Sequence, residues 1–194
     1  MHMALGILAF GSLRVDAGAE LEPLIVTRLP WSTPFGVEFA RRSRTRGDAP
    51  TLVPFADADP VMAEVLVLRD DVDDDNAREM LWRREVHRVG SGQRRPESSF
   101  VVFRKFVDVP GCSLVLATDF DDARLTDLDP EALATLAIAS VAAAPAGRDG
   151  ITYLRDALGC GVVTRRTFAY RDAILARTGT TTLADALAVV REQG

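Results

Sequence analysis

The pattern of apolar and polar residues divides the chain into a strand-rich first part and a helix-rich second part. Short apolar runs that are rich in β-branched or aromatic residues predict strands. These runs cover residues 4–10, 24–29, 61–68, 100–109 and 112–118. Between Trp31 and Phe39, apolar residues alternate with Gly36 and Glu38, which predicts a strand with one buried face. A polar loop at Arg41–Asp48 follows this strand.

Helical segments follow a different pattern. The acidic run 70–76 precedes a predicted helix at Ala77–Arg84, because aspartates at a helix start accept hydrogen bonds from free N–H groups and favour the positive end of the helix dipole. Pro130 opens an alanine-rich helix that runs to Ala144. Three more helices are predicted at 149–158, 168–177 and 183–192, the last of them capped by Thr180–Thr182.

The order of the elements, strands first and helices later, favours an α+β domain over a βαβ repeat. A length of 194 residues suits one domain, or one domain with a small extension. We therefore expect a β-rich core over residues 4–119 and a C-terminal helical part of the same domain over residues 120–194.

Composition limits the classes of partner. The net charge of −5 argues against general nucleic-acid binding. No stretch approaches the roughly 20 apolar residues that cross a membrane, and the N-terminus does not match a secretory signal. Cys112 and Cys160 are too widely spaced for a disulfide framework or a metal knuckle, so we expect free thiols in a cytoplasmic protein. His2 precedes the first strand and is excluded from any site.

The first predicted strand ends in the turn Phe10-Gly11-Ser12-Leu13. Glycine lets the backbone approach a ligand closely and turn its N–H groups outward. Such a turn can hold a carboxylate or an oxyanion without any charged side chain. The Gly-x-Ser-x-Gly pattern of a hydrolase nucleophile elbow does not surround Ser12. The pattern therefore does not support Ser12 as the nucleophile of a hydrolase.

The aspartates before the first predicted helix have the spacing of calcium-loop positions one, three and five. They are Asp71, Asp73 and Asp75. A calcium loop also needs glycine at position six and glutamate at position twelve, where this chain has Asn76 and Trp82. We therefore interpret the run as a solvated helix start and expect no metal site.

Glu85 lies at the predicted end of the first helix, in the segment Leu81-Trp82-Arg83-Arg84-Glu85-Val86-His87. A helix C-terminus disfavours an anion, and the neighbouring tryptophan and valine indicate partial burial. Both conditions suit a carboxyl group for general acid–base chemistry. The alternative is a structural ion pair with Arg83, Arg84 or Arg88.

Two of these segments together resemble the γ-glutamylcyclotransferase-like superfamily. Phe10-Gly11-Ser12-Leu13 resembles its Tyr-Gly-Ser-Leu or Tyr-Gly-Ser-Asn loop after the first strand. Leu81-Trp82-Arg83-Arg84-Glu85 resembles its Leu-x-x-Arg-Glu or Leu-Asp-x-x-Glu segment, and Val61–Leu68 is similar to the strand before that segment. The order and rough spacing agree through residue 119. Gly147–Leu154 resembles the bacterial cation-transport-regulator-like branch, which acts on glutathione.

The resemblance implies both a fold and a reaction. The fold is a small mixed β-sheet or β-barrel flanked by helices. Glu85 would be the general acid/base that accepts a proton from the α-amine of a γ-glutamyl compound, which closes into 5-oxoproline and releases an amine or amino acid. The N–H groups of Gly11, Ser12 and Leu13 would hold the substrate carboxylate or the oxyanion. The implied partner is this small-molecule substrate, with neither a metal nor an organic cofactor.

Phe10 departs from the superfamily, which usually has tyrosine at this position, so a phenolic hydroxyl is absent. The departure supports an alternative, a non-catalytic protein that keeps the pocket for a small carboxylate or amine ligand. A third interpretation assigns Arg41–Arg46 to an anionic partner. The residues do not choose among glutathione, a γ-glutamyl amino acid, a γ-glutamylamine and an antibiotic intermediate as substrate, and they predict no oligomeric state.

Overall fold

The computed structural model describes residues 4–193, so His2 lies outside the described residues. The chain divides into two compact units. The first contains the described residues up to Thr33 together with Met62–Asp121, and the second contains Pro34–Val61 and the described residues from Asp122 onward.

Strands and helices are both present in the described residues. Within residues 4–193 the strands are β1 (Ala4–Ala9), β2 (Ile25–Ser32), β3 (Val37–Ser43), β4 (Ala49–Pro54), β5 (Met62–Leu68), β6 (Val101–Phe106) and β7 (Cys112–Phe120). The α-helices in the same range are α1 (Asp74–Glu85), α2 (Pro130–Ala143), α3 (Gly150–Gly159), α4 (Thr167–Thr178) and α5 (Leu183–Gln193). The predicted α+β class is confirmed, and every predicted helix is present. The helix α1 begins three residues before its predicted start, and the bounds of the other four agree within one residue.

The first unit is built on a mixed five-stranded sheet in the order β2-β5-β1-β7-β6. The central strand, β1, runs antiparallel to β5 and parallel to β7. Ile7 and Ala9 on this strand are fully buried, because their face of the sheet packs in the core cluster that also contains Leu81 of α1. Ala9 lies opposite Glu64 in the β1–β5 register. The turn that leaves β1 therefore begins beside the first half of β5.

The helix of the first unit, α1, begins at the predicted acidic run. The Asp73 side chain caps it by accepting a hydrogen bond from the backbone N–H of Asn76 at 2.7 Å. Ala77 and Leu81 are fully buried in the core cluster that also contains Leu13, from the turn after β1. Burial of one leucine side chain contributes about 1.5–3 kcal/mol. This packing holds the helix and the turn against one core, and the helix ends at Glu85.

The second unit contains the antiparallel β3–β4 pair and the helices α2 to α5. Phe39 and Tyr170 are fully buried in it, with ring centroids 5.3 Å apart in an edge-to-face arrangement. The start of α3 lies close to α2: a Cβ added to Gly150 would lie only 2.8 Å from the Ala137 Cα. The assignment of residues 4–119 and 120–194 to one domain stays a prediction.

The single strand predicted between Trp31 and Phe39 is wrong. The chain breaks between β2 and β3, where a Cβ on Gly36 would lie 2.0 Å from the carbonyl oxygen of Ala58. This close approach requires glycine and interrupts the strand. The prediction of one buried face is also wrong, because Glu38 is fully buried and its carboxylate accepts a hydrogen bond from the Thr164 hydroxyl at 2.7 Å.

The polar loop predicted at Arg41–Asp48 is wrong in its first part, because β3 continues into it. Arg41 forms an ion pair with Asp122, at 2.9 Å between Nη2 and Oδ1. The Arg46 guanidinium lies over the Tyr153 ring, 4.7 Å from its centroid. These two arginines therefore have internal partners within their unit, which weakens the interpretation of the segment as a free basic surface.

Neither cysteine forms a disulfide, as predicted, with Cys112 buried on β7 and Cys160 partly buried. Burial raises the pKa of the Cys112 thiol above its ordinary value. No single helix among the described residues is long and apolar enough to span a membrane. The α4–α5 pair meets that test only jointly, with a bend of 44° between the two helices.

Candidate functional site

The turn after β1, residues 10–16, is the first part of the candidate site and is called the β1 turn below. Phe10 is buried, and Ser12–Arg14 form one 3-10 turn that begins at Gly11. The backbone N–H of Arg14 donates to the Gly11 carbonyl at 3.0 Å, and that of Asp16 donates to the Ser12 carbonyl at 3.0 Å. The backbone of the turn is therefore held by its own hydrogen bonds.

Three successive backbone donors at the start of the β1 turn remain available. Among residues 4–193, the N–H groups of Gly11, Ser12 and Leu13 have no hydrogen-bond partner. The first N–H groups of any helical turn lack an acceptor within that turn, so they are satisfied by solvent or by a ligand. Consecutive N–H groups of this kind suit a carboxylate or a developing oxyanion.

Charged side chains fix the β1 turn to the sheet. The Arg14 guanidinium pairs with the Glu64 carboxylate on β5 at 3.0 Å and donates to the Met62 carbonyl at 3.4 Å. Arg28 on β2 donates to the Arg14 carbonyl at 3.4 Å and lies 3.6 Å from the second Glu64 oxygen. Each oxygen of the Glu64 carboxylate therefore faces one arginine, and the turn is anchored to β5 and β2, which lie on one side of β1 in the sheet.

Glu85, the last residue of α1, is the second part of the candidate site. Its side chain is only 12% exposed. One contact to a protein group is present among residues 4–193: its Oε1 lies 3.5 Å from Arg84 Nη1. This distance is at the long limit for a hydrogen bond. The other oxygen, Oε2, has no protein partner in the described residues, and it is therefore free to accept a hydrogen bond from a ligand.

Arg84 connects the two parts. Its Nη1 and Nη2 both donate to the Ser12 hydroxyl oxygen at 3.1 Å. Its Nε and Nη2 donate to the Asp16 carbonyl at 3.1 and 2.7 Å. The same guanidinium contacts Glu85, so one planar cation links the hydroxyl of the β1 turn to the carboxylate at the helix end. Its side chain is 10% exposed.

The loop after α1 lies beside this site and is anchored separately. Arg83 pairs with Glu20, at 2.6 Å between Nη2 and Oε2, and donates to the Gln93 carbonyl at 3.1 Å. The backbone N–H of Gly90 also donates to Glu20. The Arg83 hydrogen bond holds the pKa of Glu20 below its ordinary value. Arg83 thus binds Glu20 and the loop after α1, whereas Arg84 binds the β1 turn and Glu85, although the two arginines are neighbours in the sequence.

The acidic run at the start of α1 caps the helix, as the sequence predicted, and also forms ion pairs that it did not predict. Asp73 caps the helix, Asp71 pairs with Arg69, and Asp74 pairs with Arg78. These aspartates are therefore engaged with protein groups. Among the described residues, no group of three or more His, Cys, Asp or Glu side chains could hold a metal ion.

The structure brings the predicted site residues together through a residue whose role the sequence did not reveal. Ser12 and Glu85 both contact Arg84, and the ion pair offered as the structural alternative for Glu85 is present. That ion pair involves only Oε1 of Glu85, so an ion pair with Arg84 and a role as general acid/base are compatible. The sequence signals for Arg84 were its place in the segment that resembles Leu-x-x-Arg-Glu and its position next to Glu85. Neither revealed its contact with Ser12, which is 72 residues away in the sequence.

Comparison with known proteins gives a likeness in structure and none in sequence. A crystal structure of a γ-glutamyl cyclotransferase specific to glutathione from yeast matches at 12% identity with a TM-score of 0.50, over 98% of this chain and 99% of that chain. A selenomethionine-labelled crystal structure with the same description matches at 12% identity with a TM-score of 0.48, over 98% and 96% of the two chains. No family model and no curated protein matches. The first likeness shows that the fold is shared with γ-glutamyl cyclotransferases, as the sequence resemblance implied.

Proposed function

We propose that this protein is a γ-glutamylcyclotransferase-like enzyme. It converts a small γ-glutamyl compound into 5-oxoproline and a free amine or amino acid, without a cofactor. The observation that carries the proposal is that Arg84 contacts both the Ser12 hydroxyl and the Glu85 carboxylate. This contact connects the turn that carries the free backbone N–H groups to the carboxylate whose Oε2 can still accept a hydrogen bond. The fold shared with the yeast enzyme supports the same reaction class.

The two parts of the site complement the two ends of an amino acid. The free N–H groups of Gly11, Ser12 and Leu13 suit a carboxylate or a carbonyl oxygen, because they can only donate. The open Oε2 of Glu85 suits the α-amine, because an ionised carboxylate can only accept. A γ-glutamyl group carries an amine, a carboxylate and an amide carbonyl within a few bonds, so it can use both parts at once.

The reaction needs one base and one oriented substrate. The α-amine nitrogen attacks the γ-carbonyl carbon of the same molecule, and Glu85 accepts the proton that this nitrogen loses. The carbonyl oxygen takes the negative charge, which the N–H groups of the β1 turn stabilise. The bond from carbon to the leaving nitrogen then breaks as Glu85 returns the proton to that nitrogen. Correct orientation of such an intramolecular reaction supplies up to about 7–11 kcal/mol of the barrier reduction.

Phe10 sets a limit on how the substrate is held. Phe10 is 7% exposed and its ring carries no hydroxyl, so the ring can offer a substrate apolar contact but no hydrogen bond. A substrate that depends on a phenolic donor here would bind poorly. We therefore propose a substrate whose glutamyl end is held by the backbone of the turn, and glutathione is one candidate.

The test is a Glu85→Gln variant assayed for 5-oxoproline release from glutathione, γ-glutamyl amino acids and γ-glutamylamines. Loss of a general acid–base group lowers the rate by on the order of 10²–10⁴-fold. Glu79→Gln is the matched control, because Glu79 lies on the same helix and contacts Arg83 and the backbone of Arg95 instead of Arg84. A folded Glu85→Gln variant with the wild-type rate would remove Glu85 from the mechanism.

A non-catalytic binding protein is the second candidate, and Phe10 is the observation that favours it. It predicts a rise in melting temperature with γ-glutamyl compounds or 5-oxoproline but no turnover of any of them. Thermal-shift measurements beside the activity assay distinguish the two functions. Binding together with release of 5-oxoproline would contradict this second candidate.

A further inference from the structure

We propose that Arg84 is a positioning residue that sets the Ser12 hydroxyl and the Glu85 carboxylate for the substrate at the same time. The inference rests on the proposed function and adds to it a residue that acts on both halves of the site. It is carried by the guanidinium contacts to Ser12, at 3.1 Å from two nitrogens, and to Glu85, at 3.5 Å.

The contacts to Ser12 determine the direction of its hydroxyl group. A hydroxyl has one O–H donor and two acceptor lone pairs. Because Nη1 and Nη2 of Arg84 both donate to the oxygen, its lone pairs are occupied and its hydrogen has to point elsewhere. No acceptor for that hydrogen is present among residues 4–193. Ser12 is thereby prepared to donate to a substrate oxygen, in the same turn as the free backbone donors.

The contact to Glu85 determines which carboxylate oxygen remains available. Arg84 lies against Oε1, and Oε2 has no protein partner in the described residues. Arg84 thus leaves one oxygen for the α-amine while it restrains the other.

The position of Arg84 itself is fixed by the backbone. Its Nε and Nη2 both donate to the Asp16 carbonyl, which prevents the planar group from turning away from Ser12. Gly18 makes room for the arginine stem, since a Cβ there would lie 3.2 Å from Arg84 Cγ. The φ of Gly18 is +84°, a left-handed conformation that favours glycine. The loop after the β1 turn is therefore shaped around this side chain.

A lysine at position 84 cannot make the contacts of Arg84 to Ser12, Asp16 and Glu85 at the same time. A lysine ammonium is a compact charge on a flexible stem, whereas the guanidinium holds several acceptors in one plane. We expect Arg84→Gln to lower kcat by on the order of 100-fold with a smaller change in KM, because a displaced catalytic group costs about this much. Arg84→Lys should recover only part of the loss, because it restores the charge without the planar geometry.

The matched control is Arg83, which precedes Arg84 on the same helix end but pairs with Glu20 and the loop. Arg83→Lys and Arg83→Gln should reduce kcat far less than the corresponding Arg84 variants at equal folded fraction. A double-mutant cycle adds Ser12→Ala to each background. If Arg84 acts through Ser12, the serine substitution should cost less in the Arg84→Gln background than in wild type, by a factor above about 2.

The outcomes separate this inference from the proposed function. A wild-type protein that releases no 5-oxoproline from any γ-glutamyl substrate overturns both. Activity that depends on Glu85, combined with equal losses for the Arg83 and Arg84 variants or with strictly multiplicative effects in the cycle, overturns only the role of Arg84. Full recovery of kcat in Arg84→Lys would also overturn it, because charge alone would then suffice.

Discussion

Glu38 in the second unit and Glu85 in the first are both withdrawn from solvent, but their surroundings differ. Glu38 is fully buried, and it accepts hydrogen bonds from the Thr164 hydroxyl at 2.7 Å, the Phe39 N–H at 2.9 Å and Arg166 at 3.0 Å. Glu85 is 12% exposed and has one long contact among the described residues. A carboxylate with all its bonds made stabilises the fold, whereas one with an open oxygen is available for chemistry.

The largest expected effect follows from removing the fully bonded carboxylate. Glu38→Ala should lower the free energy of unfolding by about 3–5 kcal/mol, because it leaves Arg166 and two buried donors without their acceptor. Chemical denaturation measures this loss. Glu38→Gln should lose less, since an amide oxygen can still accept from Thr164 or Phe39. A loss below about 1 kcal/mol in Glu38→Ala would mean that these bonds add no net stability.

The sequence could predict elements whose partners are local, and it indicated Glu85 as a candidate, but it did not predict the long-range polar contacts at Glu38 and at Arg84. The helix α1 and its Asp73 cap were predictable because the residues that form the cap are three apart. Glu38 was predicted to be exposed, because the alternation of apolar and polar residues indicates a strand with one exposed face. It carries no information on whether a distant segment of the chain covers that face. Its partner Thr164 is 126 residues away, and Ser12 is 72 residues from Arg84. Long-range pairing of polar groups leaves no period in the sequence.

Tyr170 shows that an unsatisfied polar group alone does not make a site. Its hydroxyl is fully buried without a hydrogen-bond partner in the described residues, and burial raises the pKa of the phenol. Tyr170→Phe should raise the free energy of unfolding by about 1–2 kcal/mol, because the substitution removes an unpaired polar atom and keeps the ring. Thermal or urea denaturation checks this. Destabilisation would indicate that the hydroxyl has a partner, such as a buried water.

Glu20 is an intermediate case, a paired carboxylate that remains 20% exposed. The hydrogen bond from Arg83 lowers its pKa from the ordinary value of 4.5, so the native state binds the proton less tightly than the unfolded state does. The contribution of this ion pair to folding stability is therefore fully present above pH 4.5. It is lost as the pH falls through the pKa of Glu20 in the native state, which lies below 4.5.

The measurement for Glu20 is the stability difference between wild type and Glu20→Gln at several pH values. We expect wild type to be more stable at neutral pH by less than about 1 kcal/mol, as for other partly exposed pairs. The difference should shrink as the medium is acidified below pH 4.5. A difference that stays constant, or grows in acid, would contradict the assigned role of the Arg83 pair.

The smallest expected effect on stability is that of Glu85, and it completes the contrast with Glu38. Glu85→Gln removes a carboxylate whose one protein contact in the described residues is 3.5 Å long, so little native bonding is lost. Its free energy of unfolding should lie within about 0.5 kcal/mol of wild type, or above it, because functional groups are often held at a cost to stability. Denaturant midpoints of Glu85→Gln and Glu38→Gln, measured side by side, check the prediction. If Glu85→Gln proves as destabilising as Glu38→Gln, both carboxylates are structural and the distinction between an open and a fully bonded oxygen fails as a guide to the site.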